Sequence, residues 1–379
     1  MAARGVLTLL EKWCLWLLMF CGLLAFRFDV SSNRFVQSSA YYWASILLTT
    51  AFMFVSPFIY WCSITLVMHP KSLVNVYMIA IQFMFMYVVV IVSRIKAITN
   101  RQELCQLLNS LLAVREQALQ GSGATGYDHS LSRRLWMKLV VFDFGMLVVS
   151  ASFFRTFIDL NLTFFYSLIG FMNLMLVSSM NVAINFLIFV LYNAVNIFRL
   201  VNERCNALVY GSKVSKDTVR LYLMHTETTL IIQRIVELLS IPILLLSVWF
   251  FFIIVFSVFY MYTSLVQDIK SGSVDAVRNV MNPFTFFISE VGQVYFMVSA
   301  SAMFSDRARQ IIAHLTPYTG RITDGPGDQT VEILTIEYLN RDYSIGVKGL
   351  YTIDYTMLFS IAASTTSYLI ILVQYYLQE

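Results

Sequence analysis

The sequence predicts an all-α, polytopic membrane protein with seven transmembrane helices, an intracellular N-terminus and an extracellular C-terminus. Three observations carry this reading. Of 379 residues, 58% are hydrophobic and only 13% are charged, about half the roughly 25% charged residues of soluble domains. The chain also divides into apolar runs of the ~20 residues that a helix needs to cross a bilayer. Finally, 22 Lys and Arg residues fall on one side of the resulting topology and three on the other. The side that keeps its Lys and Arg is cytoplasmic.

The first apolar run, residues 13–26, has only 14 residues and is too short to span. Arg4 and Lys12 precede it, Arg27 and Arg34 follow, and there is no A-x-A cleavage site. It reads as a helix lying at the cytoplasmic membrane surface. Residues 40–62 and 73–93 form the first two spans. Residues 136–158 form the third, with Lys138 at one end and Asp143 and Arg155 inside.

The next uncharged run, 160–198, has 39 residues. As one straight helix it would reach about 58 Å, against a hydrocarbon core of about 30 Å, so it must break or project into the cytosol. The stretch between Glu237 and Asp268 gives the fifth span. The stretch between Arg278 and Asp306 gives the sixth, with Glu290 as its single charge, and residues 355–378 give the seventh. The expected segments are an intracellular 1–38, spans one to six over 39–304, an intracellular anchor region at 305–350, and the last helix with a short extracellular tail at 351–379.

The connections at 94–138, 199–237 and 305–351 carry apolar residues at helical spacing, clearest at Leu104, Leu107, Leu108, Leu111 and Leu112. They predict a helical layer beneath the membrane, to which Asn181, Asn185, Asn193 and Asn196 would contribute hydrogen bonds. Residues 121–126 and 320–328 are Gly-rich breaks. Internal repeats, the mark of many transporters, are not evident.

Enzyme chemistry finds no support. The four histidines are scattered, and there is no H-E-x-x-H, G-x-S-x-G or G-x-x-x-x-G-K-[ST]. Gly121 to Gly126 fits G-x-G-x-x-G, but it follows a leucine-rich helical stretch where a dinucleotide site needs a strand. The five cysteines form no C-x-x-C pair and read as apolar packing residues, not as a disulfide framework or metal site. No cofactor is implied. The net charge of +4 is small and dispersed, which argues against nucleic acid as a partner.

Charges inside a membrane are expensive and mark functional sites. Glu290 lies in the outer half of the sixth span, and Arg155 and Asp159 stand at i, i+4 near the outer end of the third. With Tyr77, Gln82, Tyr166 and Phe287 they outline a candidate ligand pocket open to the outside. The structural alternative is that Arg155 and Asp159 pair at headgroup level and Glu290 bonds to a neighbouring helix. The single N-x-[ST] sequon, Asn161-Leu162-Thr163, falls in an outer connection and is a candidate glycosylation site.

The last span contains a small, partly polar run from Ser360 to Ser367, then Tyr368, five apolar residues, Gln374 and Tyr375. This resembles the C-terminal signature of insect gustatory receptors: Thr-Tyr, five hydrophobic residues, Gln-Phe. Tyr368 and Gln374 match it, Ser367 stands for the Thr and Tyr375 for the Phe. The preceding Gly349 to Tyr355 is similar to the run that leads into that helix. The resemblance implies a tetrameric, ligand-gated, nonselective cation channel in the plasma membrane of sensory neurons, formed with itself or with related receptors. The last helices of four subunits would line the pore, with Gln374 and Tyr375 at its gate. Ser364, Tyr368, Ile371 and Tyr375 recur at spacings of four, three and four and share one face of that helix. The implied partners are a small-molecule tastant and membrane lipid, and the mixed polar and aromatic pocket residues favour a bitter or aversive compound. The alternatives are a G-protein-coupled receptor, which the charge count opposes, and an accessory subunit without its own pore.

Overall fold

A capping box opens the first helix, α1 (Leu9–Phe20). Glu11 N donates to Thr8 Oγ1 at 3.3 Å, and Thr8 N donates to Glu11 Oε2 at 2.7 Å. Gly22, with φ +69°, takes the left-handed turn that ends it. The structure is a computed structural model describing residues 8–62, 64–65, 73–120, 128–145, 147–148, 164–209, 216–271, 276–319 and 326–378. One face of α1, carrying Glu11, Cys14, Leu15 and Leu18, is buried in the protein, while Leu9, Trp13, Trp16 and Phe20 are exposed. The helix is thus half embedded in the bundle, with its aromatic face exposed.

A short hairpin follows, β1 (Arg27–Asp29) and β2 (Arg34–Val36), pairing Phe28 with Phe35. The sequence pattern gave no sign of it, because three-residue strands are too short to show a period of two. Asn109 holds it against α4 (Arg101–Gln120), donating to Phe35 O and accepting from Phe35 N, both at 2.8 Å.

The first two spans are α2 (Ser39–Cys62) and α3 (Leu73–Thr99). α2 turns Ser45, Thr49, Phe52, Ser56 and Ile59 inward, a run of i, i+3 and i, i+4 positions. Helix α5 (His129–Trp136), capped by Asp128, runs into a π-helical stretch, Met137–Asp143. Among the described residues, six helices are long and apolar enough to cross a membrane. The third expected span, 136–158, is described only as far as residue 148.

Helix α6 (Phe164–Val209) is continuous over 46 residues, about 69 Å at 1.5 Å per residue. The long uncharged run therefore projects beyond the bilayer instead of breaking. After α7 (Lys216–Leu238) and α8 (Ser240–Ser271), α9 (Ala276–Thr319) does the same over 44 residues. It passes through the expected boundary at 304/305 without interruption. Helix α9 packs on both α6 and α8 at the core, α3 packs on α6 and α8, and α2 packs on α3.

The expected helical layer is present at the α1 end of the bundle. It consists of α4, α7, α10 (Pro326–Asn340) and the projecting ends of α6 and α9. Helix α10 starts inside the stretch read as a break, since proline suits a first helical position, where its missing N–H has no intrahelical partner. Buried His225 of α7 bonds through Nε2 to Ala308 O at 3.1 Å and packs on Phe198, Tyr338 and Tyr343. Asn193 accepts from Arg115, and Asn202 donates to Arg307 O at 3.1 Å. Asn185 behaves otherwise and belongs to the site below. Cys14, Cys62, Cys105 and Cys205 are free and buried, and Cys21 is half-buried. A second hairpin, β3 (Gly346–Val347) and β4 (Tyr351–Thr352), leads into the last helix, α11 (Tyr355–Gln378).

Candidate functional site

The approach to α11 is tightly specified. Lys348 and Gly349 both have positive φ, making the turn of the second hairpin. Tyr351 Oη donates to Ser247 Oγ of α8 at 2.7 Å, and Ile353 N donates to Ile345 O at 2.9 Å. Asp354 Oδ1 then accepts from Thr356 N at 2.9 Å, satisfying one of the helix's free N–H groups. The carboxyl of Asp354 is held below the usual carboxylate range, chiefly by its hydrogen bond from the Thr356 hydroxyl.

Helix α11 has one packed face and one bare face. Leu369, Leu372, Val373 and Tyr376 pack on Val255, Phe256 and Phe259 of α8. The Tyr368 ring meets Phe251 edge-on at 5.6 Å. Of its apolar stretch only 6% is buried, against 78% for α6. Gln374 is exposed, Tyr375 is 62% exposed, Tyr368 and Ile371 are about half exposed, and Ser364 is partly buried. The four positions expected to share a face thus lie along the side that the subunit's own core leaves largely uncovered.

The second feature is a buried polar cluster between the π-helical stretch, α6 and α9. Lys138 Nζ lies 2.6 Å from Asp143 Oδ1 and 2.7 Å from Asn185 Oδ1. Asn185 Nδ2 donates to the other Asp143 oxygen, and Gln293 Nε2 donates to Asp143 Oδ1 at 3.1 Å. The π-helical turn closes i, i+5 bonds, which brings Lys138 and Asp143, five residues apart, to the same side. One turn from Gln293, Glu290 is 4% exposed and feels the charges of Lys138 and Asp143. Among the described residues its Oε2 has no hydrogen-bond partner, nor has Gln293 Oε1. Next to the cluster the Phe142 ring fills the space over Gly292, where an added Cβ would come within 2.0 Å of it.

The pocket residues are placed as follows. Glu290 is buried, and Phe287 is half-buried against the main core. Gln82 is half-buried and Tyr77 is 65% exposed. No hydrogen bond, ion pair or ring contact joins these four among the described residues. Arg155, Asp159 and Asn161 lie outside the described residues, as does the side chain of Tyr166. Sequence reasoning missed Lys138, Asn185 and Gln293 as companions of Glu290. The available signals were two opposite charges five apart at the start of an apolar run, and a glutamine three residues after a buried glutamate.

The comparisons agree with this architecture. The profile of the 7tm chemosensory receptor family matches residues 12–379. The fold is similar to the insect olfactory receptor OR5 from Machilis hrabei, with a TM-score of 0.65 and 12% identity, covering 96% of this chain and 97% of that one. The same receptor in complex with eugenol superposes with a TM-score of 0.64, also at 12% identity, covering 96% and 98% of the two chains. Among curated protein sequences, none matches the chain. With the family profile satisfied over nearly its whole length and the fold of an insect olfactory receptor, this chain belongs to the 7tm chemosensory receptor family.

Proposed function

We propose that the chain is a gustatory receptor: a tetrameric, ligand-gated, nonselective cation channel opened by a small-molecule tastant, of bitter or aversive type. The observation that carries this reading is the bare face of α11. A helix of mean span-like hydropathy that is almost unburied in its own subunit either faces lipid alone or meets other copies. The bare face here also carries Gln374, and a glutamine amide in hydrocarbon leaves its hydrogen-bonding groups unsatisfied. Water in a central passage between four α11 helices satisfies them. Tyr368, Ile371 and Tyr375 would narrow that passage and close it by dewetting. With no Asp or Glu between Asp354 and Glu379, the passage has no acidic ring to discriminate among cations.

The match to a receptor solved with eugenol supports a small organic molecule as the ligand class. The residues that would bind it are Glu290, Phe287, Tyr166, Gln82, Tyr77, Arg155 and Asp159. Purified chain reconstituted alone into vesicles tests the reading. A panel of tastants should include compounds that open currents carried similarly by sodium, potassium and caesium. Protein that assembles in the bilayer but passes no current with any of them would make it an accessory subunit.

A further inference from the structure

Five charged side chains are buried among the described residues: Glu11, Arg94, Arg115, Lys138 and Glu290. Arg115 is paired with Glu11, and Lys138 with Asp143. Arg94 differs. It is 1% exposed, and no carboxylate among the described residues pairs with it. Nη2 donates to Ser179 Oγ at 3.2 Å, and the Phe52 ring lies 4.5 Å from Cζ. Nε and Nη1 have no acceptor among the described residues. A glutamate in this position can take up a proton, but a guanidinium in a protein stays charged. A buried charge without a counter-charge is costly, so the surroundings of Arg94 suit an anion.

Its position says which anion. Arg94 lies five residues before Thr99, the end of α3, about 7.5 Å along the axis and so near the headgroup level at the α1 end. Gly22, at the turn after α1, sits over it: a Cβ there would come within 3.0 Å of both Arg94 Nη1 and Leu48 Cδ2. The same turn borders an apolar cavity of about 50 Å³ whose walls include Leu18, Leu23, Leu24, Ser93 and Ala97. Ser93, the residue before Arg94, has an unpartnered hydroxyl and lines that cavity. The exposed Trp13, Trp16 and Phe20 of α1 place the turn where its aromatic face meets lipid.

From this arrangement we infer that Arg94 is the anchor of an anionic phospholipid from the leaflet on the α1 side, its phosphate accepting from Nε and Nη1 and its glycerol region reaching Ser93. A phosphate supplies several acceptor oxygens to one guanidinium, and basic pockets between membrane helices bind lipid headgroups in this way. The half-buried Leu48 side chain swings aside to admit it. The lipid would fasten α1, α2, α3 and α6 together.

The test uses the purified full-length chain in detergent, with its thermal midpoint measured after adding phosphatidylglycerol, phosphatidylcholine or inorganic phosphate. Phosphatidylglycerol should raise the midpoint by a few degrees more than phosphatidylcholine, because a ligand that binds only the folded state stabilises it. That extra gain should disappear in Arg94→Gln and persist in Lys96→Gln, which removes a charge two residues further on. Equal gains from the two lipids, or a gain that survives in Arg94→Gln, would overturn the inference. A shift with inorganic phosphate and none with lipid would overturn the lipid as its source. Should Arg94→Gln fail to fold, crosslinking of the unaltered chain by a phosphatidylglycerol with a photoreactive headgroup decides: label should map to residues 18–24 and 91–97, and label confined to other segments refutes the site.

Discussion

Glu11 Oε1 accepts from Arg115 Nη1 at 2.7 Å, and neither side chain is more than 3% exposed. Arg115 also donates to Asn193. The ion pair and this hydrogen bond thus join α1, α4 and α6, three elements far apart in sequence. Removing one partner of such a pair leaves the other charge buried and costs about 3–5 kcal/mol. Glu11→Leu and Arg115→Met should each lower the thermal midpoint sharply, and the two combined should recover most of the loss. A double variant as unstable as the sum of the two singles would show that the pair is not the unit of stability.

Glu290 adjoins the Lys138–Asp143–Asn185–Gln293 network without closing it. Glu290→Ala should change ligand potency while leaving surface expression roughly intact. Asp143→Ala should instead strip Lys138 of its partner and reduce folded protein by the same about 3–5 kcal/mol of lost stability. Dose–response curves at matched surface levels check the first and surface labelling the second. Loss of surface protein in Glu290→Ala would make that residue a structural partner and remove the pocket's best support.

His225 predicts the pH dependence of the helical layer. Burial first, opposed by the bond to Ala308, lowers its pKa from 6.5 to about 3. Below pH 6.5 the unfolded chain takes up a proton that the folded chain refuses, so this group makes stability fall as pH falls. The loss at pH 5.5 relative to pH 8 is about 1.4 kcal/mol. His225→Phe keeps an aromatic ring and removes the titration, so its midpoint should fall less between those pH values than that of the unaltered chain. Equal falls in the two proteins would assign the acid sensitivity to other groups.

Much of this was legible in the sequence because membrane helices obey one strong rule, that length and apolarity must match the bilayer. The runs at 40–62, 73–93 and 355–378 mark their helices closely, and Leu104, Leu108, Leu111 and Leu112 line the buried face of α4. What stayed hidden depends on pairing across the chain. Asn185 reads like Asn193 in sequence, yet it turns to Lys138 and Asp143 because a π-helical stretch presents both to it. Glu11 looks like one more surface charge until Arg115 is brought to it from 104 positions away. Arg94 reads in sequence like any other cytoplasmic-side arginine, yet it is a buried cation.

The charge asymmetry predicts orientation. A tag inserted between Gly121 and Gly126 should be reached by antibody only after permeabilisation, and a tag following Glu379 should be labelled on intact cells. A protected C-terminal tag would contradict an odd number of crossings from a cytoplasmic N-terminus.

The proposed function puts α11 in a pore shared between subunits, with Gln374 and Tyr375 at its narrow end. Both side chains are largely exposed in the single chain, so replacing either disturbs little internal packing. The most direct measurement is single-channel recording of Gln374→Ala and Tyr375→Ala beside the unaltered receptor, at matched surface levels and saturating ligand. Both variants should alter unitary conductance, basal opening or gating more than they alter ligand affinity. Unchanged conductance and gating in both would remove α11 from the conduction path.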